Sequence, residues 1–300
     1  MPTGYPEHNF HTENIRQFVG DVERSSAGKL KITVLDSGSL FKANEIKRAV
    51  QNGLADIGEI IISGFSNEDP FYGIDSIPFL ASSYPAAEKL WNVSRATIEA
   101  RLAKQGLKVL YSVPWPPQGI FSTKPIASSA DLKGVKWRAY NPNSTRIAQL
   151  LGAQPNIIQT PELTQALAAG AVTAFMTSPA TAYDSQVWGQ VKYFYEVNAW
   201  LPLNLVVVSR KTFNSLDKST QVAILKAAEA AEARGWKTSS ERNRWYLEQL
   251  TKNGMKIEPG SEQLIADLKK IGLTMIADWA SQTGLEGQSI IEAYRKISVE

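Results

Sequence analysis

The sequence contains no cysteine among its 300 residues, and this absence removes several kinds of chemistry together. Disulfide bonds, thiolate nucleophiles and zinc–thiolate sites are excluded, while the redox compartment stays undetermined. Only two histidines are present, and Gly-x-Ser-x-Gly, Gly-x-Gly-x-x-Gly and P-loop patterns are missing. A serine hydrolase and a nucleotide-dependent enzyme therefore lack their usual signatures. We expect a protein that is not an enzyme and that needs no cofactor.

An excess of charge of one sign is also lacking, because 32 basic residues are balanced by 29 acidic ones. The net charge of +3 is small and the basic residues are scattered, which argues against nucleic acid as a partner. No apolar run approaches the roughly 18 residues of a membrane-spanning helix, so direct membrane insertion is not expected. No signal peptide is recognisable in the opening MPTGYPEHNF, which is compatible with a cytosolic protein or with a mature exported domain behind a start methionine.

What is present is an alternation of helical and extended patterns, with 43% apolar residues, enough for more than one core. The first half predicts helices at about 15–22, 39–53 and 86–104 and strands at about 30–34, 55–63 and 108–113. The second half predicts strands at 134–140, 171–177 and 204–209 and helices at 143–152 and 160–170. This order is typical of an α/β fold with two lobes and mostly parallel sheets.

A helical stretch from about 218 to 253 is unusually long and would extend roughly 50 Å if unbroken. Because that length exceeds one small domain, we expect this helix to run across both lobes. Three short helices are predicted after it, with breaks near Gly272 and Gly284. Two lobes joined by crossing strands leave a cleft, and ligands of open α/β sheets bind beyond the carboxyl ends of the strands.

Arg138 lies in such a position, near the end of the predicted strand GVKWRAY and just before a predicted helix. Strand alternation places Trp137 on one face, where it suits the core, and Arg138 on the other. A guanidinium beside a helix N-terminus forms an anion site, because its forked donors and the free backbone N–H groups both attract a carboxylate. A surface salt bridge is the alternative, and the spacing alone leaves both open.

The stretch DLKGVKWRAYNPNSTRIAQLLGAQP, residues 131–155, resembles one in the substrate-binding subunits of TRAP transporters, the tripartite ATP-independent periplasmic systems for organic acids. GKLKITVLDSGSL, AVQNGLADIG and NLVVVSRKTFNSL resemble other landmarks of that family in the same order, so the resemblance covers almost the whole chain. It implies a two-lobed, periplasmic-binding-protein-like α/β fold that closes on a ligand in the cleft between the lobes. On this basis we predict lobe I from 1–115 plus 204–243 and lobe II from 116–203 plus 244–300.

The resemblance also implies roles for individual side chains. Arg138 matches the family arginine that grips the ligand carboxylate, and Asn141, Thr177 and Asn204 match polar positions of the binding site. Where some relatives carry a second arginine this chain has Gln118, so a ligand with two carboxylates is not expected. Around Thr177 the sequence TAFMTSP replaces an acidic pattern with which some relatives hold a metal, so no metal is expected.

Aromatic and apolar side chains near these positions form the candidate wall of the site, and we expect about half of them to line the cleft and the others to lie in the core. They are Trp115, Phe121, Tyr140, Phe175, Met176 and Trp200. With one arginine, and with neutral hydrogen-bonding groups at Gln118, Asn141 and Asn204, this wall suits a small monocarboxylate. The ligand is expected to have an apolar or aromatic body and a hydroxy, keto or amide substituent.

Glu59 lies in the otherwise apolar strand ADIGEIIIS, where a carboxylate needs a partner. The sequence is equally compatible with a contact to a ligand hydroxyl or a cation and with a strand end that faces solvent. The stretch YPEHNFH near the N-terminus places Phe10 and its neighbours Tyr5, His8 and Asn9 at the rim of the cleft. The two histidines there are three residues apart, but no acidic or thiolate ligands accompany them in the pattern, so they do not predict a metal site.

Together with the family resemblance, these features predict an exported solute-binding protein that works in the periplasm, with its signal peptide absent from the sequence. We expect it to capture a small organic acid as a monomer and to deliver it to the membrane permease subunits of a TRAP transporter. A binding protein or sensor domain of another transport or signalling class has the same chemistry and stays an alternative. A small-molecule enzyme is a further alternative.

Overall fold

The computed structural model describes residues 1–298 and contains two β-sheets and a set of helices. The helices are α1 (Phe10–Ser25), α2 (Ile46–Gln51), α3 (Tyr84–Lys104), α4 (Pro142–Leu150), α5 (Leu163–Ala168), α6 (Pro179–Asp184), α7 (Arg210–Ser215), α8 (Lys218–Lys252) and α9 (Glu262–Ser298). The strands are β1 (Ile57–Ile61), β2 (Leu107–Pro114), β3 (Gly119–Ser122), β4 (Lys136–Ala139), β5 (Gln154–Ile157), β6 (Ala174–Thr177), β7 (Tyr193–Tyr195), β8 (Leu203–Ser209) and β9 (Lys256–Glu258). The predicted α/β class is confirmed. None of the helices within residues 1–298 combines the length and the apolar character that a bilayer crossing requires.

The chain divides into two compact units, and each is assembled from separate segments. Unit 1 comprises Met1–Ile61, Thr97–Pro114 and Leu203–Glu241, whereas unit 2 comprises Ile62–Ala96, Trp115–Pro202 and the chain from Arg242 onward. Helix α8 contributes its residues up to Glu241 to unit 1 and the rest to unit 2. The long helix that the sequence predicts is therefore present, and it belongs to both units.

The sheet of unit 1 has three strands in the order β1-β8-β2, and both pairs of neighbours are antiparallel. The expectation of mostly parallel sheets is wrong for this unit. Strand β8 begins at Leu203, where the chain returns to unit 1 directly as a strand. A parallel pair needs a crossover connection, usually a helix, and no crossover of this kind leads into β8 within the unit.

Residues 30–34 do not form the strand that their alternating pattern predicts. Their apolar side chains are partly buried and alternate with more exposed ones, as on one face of a strand. The regular pairing is missing, and the neighbouring Leu35 forms only an isolated parallel bridge with Pro2. Alternation of apolar and polar residues indicates that one side of a segment is half-buried. A β-strand also needs a neighbouring backbone with which its N–H and C=O groups can pair.

The sheet of unit 2 has six strands in the order β5-β4-β6-β3-β7-β9. Strand β4 is parallel to both β5 and β6, and β7 is parallel to β9, whereas β3 is antiparallel to both of its neighbours. The carboxyl ends of β4, β5 and β6 therefore meet at one edge of the sheet, and the start of β3 joins them there. This edge is where side chains that follow the strands are brought together.

One face of the unit 2 sheet is covered by an aromatic core. Phe121 of β3 stacks on Phe175 of β6 with ring centroids 5.3 Å apart, and its ring lies 4.3 Å from that of Phe194 on β7. Side chains of α5 and α6, such as Leu163 and Ala182, belong to the same buried cluster. Aromatic pairs in such geometry stabilise a core by more than the burial of their apolar surface contributes. Of the six aromatic and apolar residues of the predicted wall, Phe121 and Phe175 thus lie in the core.

The segment 62–96, which the sequence prediction placed in lobe I, belongs to unit 2 in the structure. Helix α9 anchors it there through two side chains. The indole of Trp279 donates a hydrogen bond to the Pro70 carbonyl at 2.7 Å, and the Tyr294 hydroxyl donates to the Leu80 carbonyl at 2.9 Å. These contacts join positions more than two hundred residues apart, so no local sequence pattern predicts them.

The C-terminal region is interrupted at one of the two predicted breaks. Gly284 has φ 60° and ψ −145°, a conformation that glycine tolerates and that kinks α9. Gly272, in contrast, lies within continuous helix, and the predicted break there is wrong. A side chain at Gly272 would place its Cβ 2.2 Å from the Pro78 carbonyl oxygen. Glycine is required at this position by close packing and not by a turn.

Candidate functional site

Arg138 lies in β4 and is buried, with only 2% of its surface exposed. The backbone register places it beside Phe175 of β6 and Asn156 of β5. Its Nε donates a hydrogen bond to the Ile158 carbonyl at 2.9 Å, and its Nη2 donates to the Thr160 hydroxyl at 3.4 Å. The surface salt bridge considered from the sequence is therefore wrong. A buried guanidinium is costly unless charge and hydrogen bonds compensate for its lost water.

Tyr140 and Gln118 lie next to this guanidinium. The Cζ atom of Arg138 lies 5.2 Å from the centre of the Tyr140 ring, which is within the range of a cation–π contact. The Tyr140 hydroxyl donates to Oε1 of Gln118 at 3.2 Å. Burial raises the pKa of this hydroxyl well above its usual value, and the nearby Trp200 and Arg138 side chains offset only part of that rise. The hydroxyl therefore remains a proton donor at neutral pH.

The two tryptophans of the predicted wall are both buried in unit 2. The backbone N–H of Trp115 donates to the Pro202 carbonyl, and the N–H of Gln118 donates to the Trp200 carbonyl, both at 2.9 Å. These bonds tie the segment before β3 to the segment before β8. Trp200 is thereby held close to Tyr140, whose pKa it influences.

Asn141 caps helix α4 and is buried. Its Oδ1 accepts a hydrogen bond from the backbone N–H of Ser144 at 2.7 Å, and its Nδ2 donates to the Ser63 hydroxyl at 2.8 Å. Capping of this kind satisfies one of the backbone donors that a helix N-terminus leaves open. The side chain thus holds the start of α4 next to the end of β4.

Thr177 and Met176 end strand β6, and both are buried. Thr177 pairs with Gly119 of β3, so it lies at the same sheet edge as the end of β4. Met176 pairs with Ile120, while Phe175 pairs with Phe121, and successive side chains of a strand point to opposite faces. Met176 therefore lies on the face opposite to Arg138, which shares the register of Phe175.

Glu59 in unit 1 is buried, with 3% of its surface exposed, and the solvent-facing alternative is wrong. Its Oε2 accepts from the Thr3 hydroxyl at 2.5 Å, and its Oε1 accepts from Nδ2 of Asn204 at 2.9 Å. Nδ1 of His11 lies 3.2 Å from the same Oε1. Burial and the charge of Glu59 raise the pKa of Tyr111 well above its usual value. The carboxylate thus obtains within unit 1 the partners that its burial requires.

The N-terminal residues of the predicted rim also belong to unit 1. Phe10 begins α1 and is buried against His11, with ring centroids 4.2 Å apart. Asn9 caps α1 by accepting from the His11 backbone N–H at 2.9 Å. The Tyr5 hydroxyl donates to Oδ1 of Asn204 at 3.5 Å. His11 and Asn204 contact the Glu59 carboxylate directly, whereas Phe10 and Tyr5 contact His11 and Asn204 in turn.

Apart from Phe121 and Phe175, which lie in the core, and Met176, which lies on the face opposite to Arg138, the predicted site residues fall into two groups. The group in unit 2 lies around the shared edge of β3, β4 and β6 and comprises Trp115, Gln118, Arg138, Tyr140, Asn141, Thr177 and Trp200. The group in unit 1 comprises Phe10, Glu59 and Asn204. Sequence reasoning missed three hydroxyl partners, namely Ser63, Thr160 and Thr3. They are separated from their partners by 78, 22 and 56 positions, so no local pattern links them.

A family model and curated relatives place the chain among bacterial binding proteins. The model DctP, bacterial extracellular solute-binding protein, family 7, matches residues 3–282. A solute-binding protein of Albidiferax ferrireducens is 27% identical over 217 residues, which are 71% of this chain and 64% of that protein. The matched family residues include nearly all of both units.

Two solved structures are more similar still. DctP6 of Bordetella pertussis, an extracytoplasmic solute receptor binding pyroglutamic acid, is 50% identical, covers 98% of each chain and has a TM-score of 0.97. A marine metagenome TRAP solute binding protein specific for pyroglutamate is 43% identical, covers 99% of this chain and 97% of that chain, and also has a TM-score of 0.97. These matches confirm the predicted resemblance and a receptor family in place of an enzyme family. The chain belongs to the DctP family of bacterial extracellular solute-binding proteins.

Proposed function

We propose that this protein is an extracytoplasmic receptor for pyroglutamate, or for a closely similar cyclic monocarboxylate. The observation that carries the proposal is the ligand of two solved structures from different sources. Both are described with pyroglutamate, and they are 50% and 43% identical to this chain. Pyroglutamate is a five-membered lactam with one carboxylate, one N–H donor and one carbonyl acceptor, so it is an amide-bearing monocarboxylate of the kind that the sequence predicts.

Arg138 supports the carboxylate half of this proposal. Its guanidinium is buried at the edge where β4 ends, and its orientation is set by the Ile158 carbonyl and the Thr160 hydroxyl. A guanidinium whose orientation is fixed in this way is a rigid, forked hydrogen-bond donor, which matches the two oxygens of a carboxylate. A charge-assisted pair that replaces water at such a site contributes about 1.5–3 kcal/mol net.

The neighbours of Arg138 support a single anionic group. Gln118, Tyr140 and Thr177 are neutral, and the Tyr140 hydroxyl keeps its proton. Asp75 is buried, and its negative charge contributes to the raised pKa of Tyr140. A second carboxylate on the ligand would therefore find the neutral Gln118 and no second arginine at that position.

Pyroglutamate is expected to bind with a stoichiometry of one and to raise the melting temperature. A ligand that binds only the folded protein stabilises it by about 2.7 kcal/mol at a concentration of 100 Kd, which corresponds to roughly 5–10 °C for a chain of this size. Isothermal titration calorimetry and a thermal-shift series with pyroglutamate, proline, cyclopentanecarboxylate and glutarate would measure this. Glutarate, with two carboxylates, is expected to give no shift.

The proposal has two distinct ways to fail in that series. A shift with glutarate equal to that with pyroglutamate would contradict the single-anion site. No binding of pyroglutamate, together with binding of another acid, would contradict the ligand assignment while leaving the receptor family intact. Mass spectrometry of any ligand that copurifies would identify the natural acid directly.

We further propose that the bound acid is delivered to TRAP membrane permease subunits. In proteoliposomes that contain such a permease, uptake of labelled pyroglutamate is expected to require this protein in the outer solution. The uptake rate is expected to rise with receptor concentration and then to saturate. Uptake at the same rate without the receptor would contradict the delivery role, because the permease would then recognise the free acid by itself.

A further inference from the structure

Both ends of the Gln118 amide are used by the protein itself. Its Nε2 donates to the Pro116 carbonyl at 3.0 Å, and its Oε1 accepts from the Tyr140 hydroxyl at 3.2 Å. The residue is 2% exposed. One N–H of Nε2 and one lone pair of Oε1 are thereby engaged by the protein, and these two hydrogen bonds hold the amide in one orientation.

Tyr140 connects this amide to the guanidinium. The ring has little freedom, because its hydroxyl is fixed on Gln118 and its backbone N–H donates to the Ser144 hydroxyl at 3.0 Å in the first turn of α4. The face of the ring lies 5.2 Å from Cζ of Arg138. The guanidinium also donates to the Ile158 carbonyl. The arginine head therefore contacts both an aromatic ring and a backbone acceptor.

We propose that Gln118 is a positioning residue that orients Arg138 through Tyr140. The contacts form one line, from the Pro116 carbonyl through Gln118 and the Tyr140 hydroxyl to the ring beside the guanidinium. This role is distinct from the direct ligand contact that the sequence predicts for Gln118. It rests on the proposed function only in assuming that Arg138 binds a carboxylate.

A double-mutant cycle on ligand affinity tests the proposal. Tyr140→Phe keeps the ring and removes the hydroxyl, while Gln118→Leu keeps much of the volume and removes the amide. Each is expected to weaken pyroglutamate binding about tenfold, and the double variant is expected to lose little more than either single variant, because both break the same line. Additive losses, or losses below twofold in both single variants, would overturn the proposal.

Selectivity between a carboxylate and a neutral carboxamide separates positioning from direct contact. If Gln118 acts through Arg138, Gln118→Leu lowers the preference for pyroglutamate over its carboxamide, pyroglutamamide. If Gln118 instead touched the lactam, affinity for both compounds would fall by the same factor and the preference would not change. Tyr193→Phe is the matched control, since Lys256 lies 5.5 Å from that ring elsewhere in unit 2 and no change in either affinity is expected.

A measurement without ligand keeps the proposal testable if pyroglutamate does not bind. In the unliganded protein, the Nε–H signal of Arg138 reports its hydrogen bond to the Ile158 carbonyl by ¹⁵N nuclear magnetic resonance. Tyr140→Phe and Gln118→Leu are both expected to shift this signal and to speed its exchange with water. An unchanged signal in both folded variants would overturn the positioning role. Failure of the unaltered protein to bind pyroglutamate would count against the proposed function alone.

Discussion

Replacing Arg138 by methionine is expected to abolish measurable binding of pyroglutamate. Removal of one partner from a buried, hydrogen-bonded charge pair costs roughly 2–5 kcal/mol, which is a loss of about 30-fold to several thousand-fold in affinity. Arg138→Lys is expected to lose most of the affinity as well, because a single ammonium cannot reproduce the forked geometry. Isothermal titration calorimetry on both variants measures the effect.

The stability of the ligand-free protein is expected to change much less than its affinity. Methionine removes the hydrogen bonds to Ile158 and Thr160, but it also relieves the cost of burying a charge. We expect the melting temperature without ligand to stay within about 5 °C of the unaltered protein. Arg146→Met is the control, because that arginine pairs with Asp278 at an exposed position. Retention of affinity within fivefold by Arg138→Met would contradict the carboxylate assignment.

The second large effect is expected on stability, from replacing Gly272 by alanine. Inside an exposed helix this change would stabilise by about 1 kcal/mol, since alanine is the better helix former. Here the new Cβ would lie 2.2 Å from the Pro78 carbonyl oxygen and 3.1 Å from its carbonyl carbon, both backbone atoms. Because backbone yields less readily than a side chain, overpacking is expected to prevail and to cost about 3 kcal/mol.

Differential scanning calorimetry should then show a fall in melting temperature of roughly 6–12 °C for Gly272→Ala. Gly189→Ala is the matched control within unit 2, because no atom lies within 4 Å of the added Cβ and the backbone is not left-handed. That variant is expected to differ little from the unaltered protein. A higher melting temperature for Gly272→Ala would show that helix propensity prevails and that α9 moves away from Pro78.

Local patterns alone predicted the elements whose side chains repeat with a clear period. The strands β1, β2 and β8 and the long helix α8 lie where the sequence places them, because a continuous apolar strand or a sustained helical period needs few distant contacts to be recognised. Alternation within β4 also assigned Arg138 to the face opposite to Trp137. The ordered motifs from residue 131 to residue 155 and in three other stretches identified the family, which a single motif would not do.

For the candidate site residues, too, local patterns predict some features and distant contacts decide the others. The sequence predicts the type of the central side chain, since an arginine between a strand and a helix start suits an anion site, although a surface salt bridge fits the same spacing. The hydrogen-bond partners of the amide and carboxylate side chains could not be predicted from the sequence. The sequence predicts a ligand contact for Gln118 and leaves Glu59 open between a ligand contact and solvent. In the structure their hydrogen-bond partners are a backbone carbonyl and side chains of their own unit.

The sequence by itself therefore determined the α/β class, the long helix and the family, and through the family it pointed to Arg138 as the carboxylate-binding candidate. Only the tertiary structure decided that β8 runs antiparallel to both neighbours, that residues 30–34 lack a strand partner and that Gly272 continues a helix. The physical reason is the range of the interactions. Periodicity and capping act over a few residues, whereas strand pairing, close backbone approach and buried polar networks join segments that are tens to hundreds of positions apart.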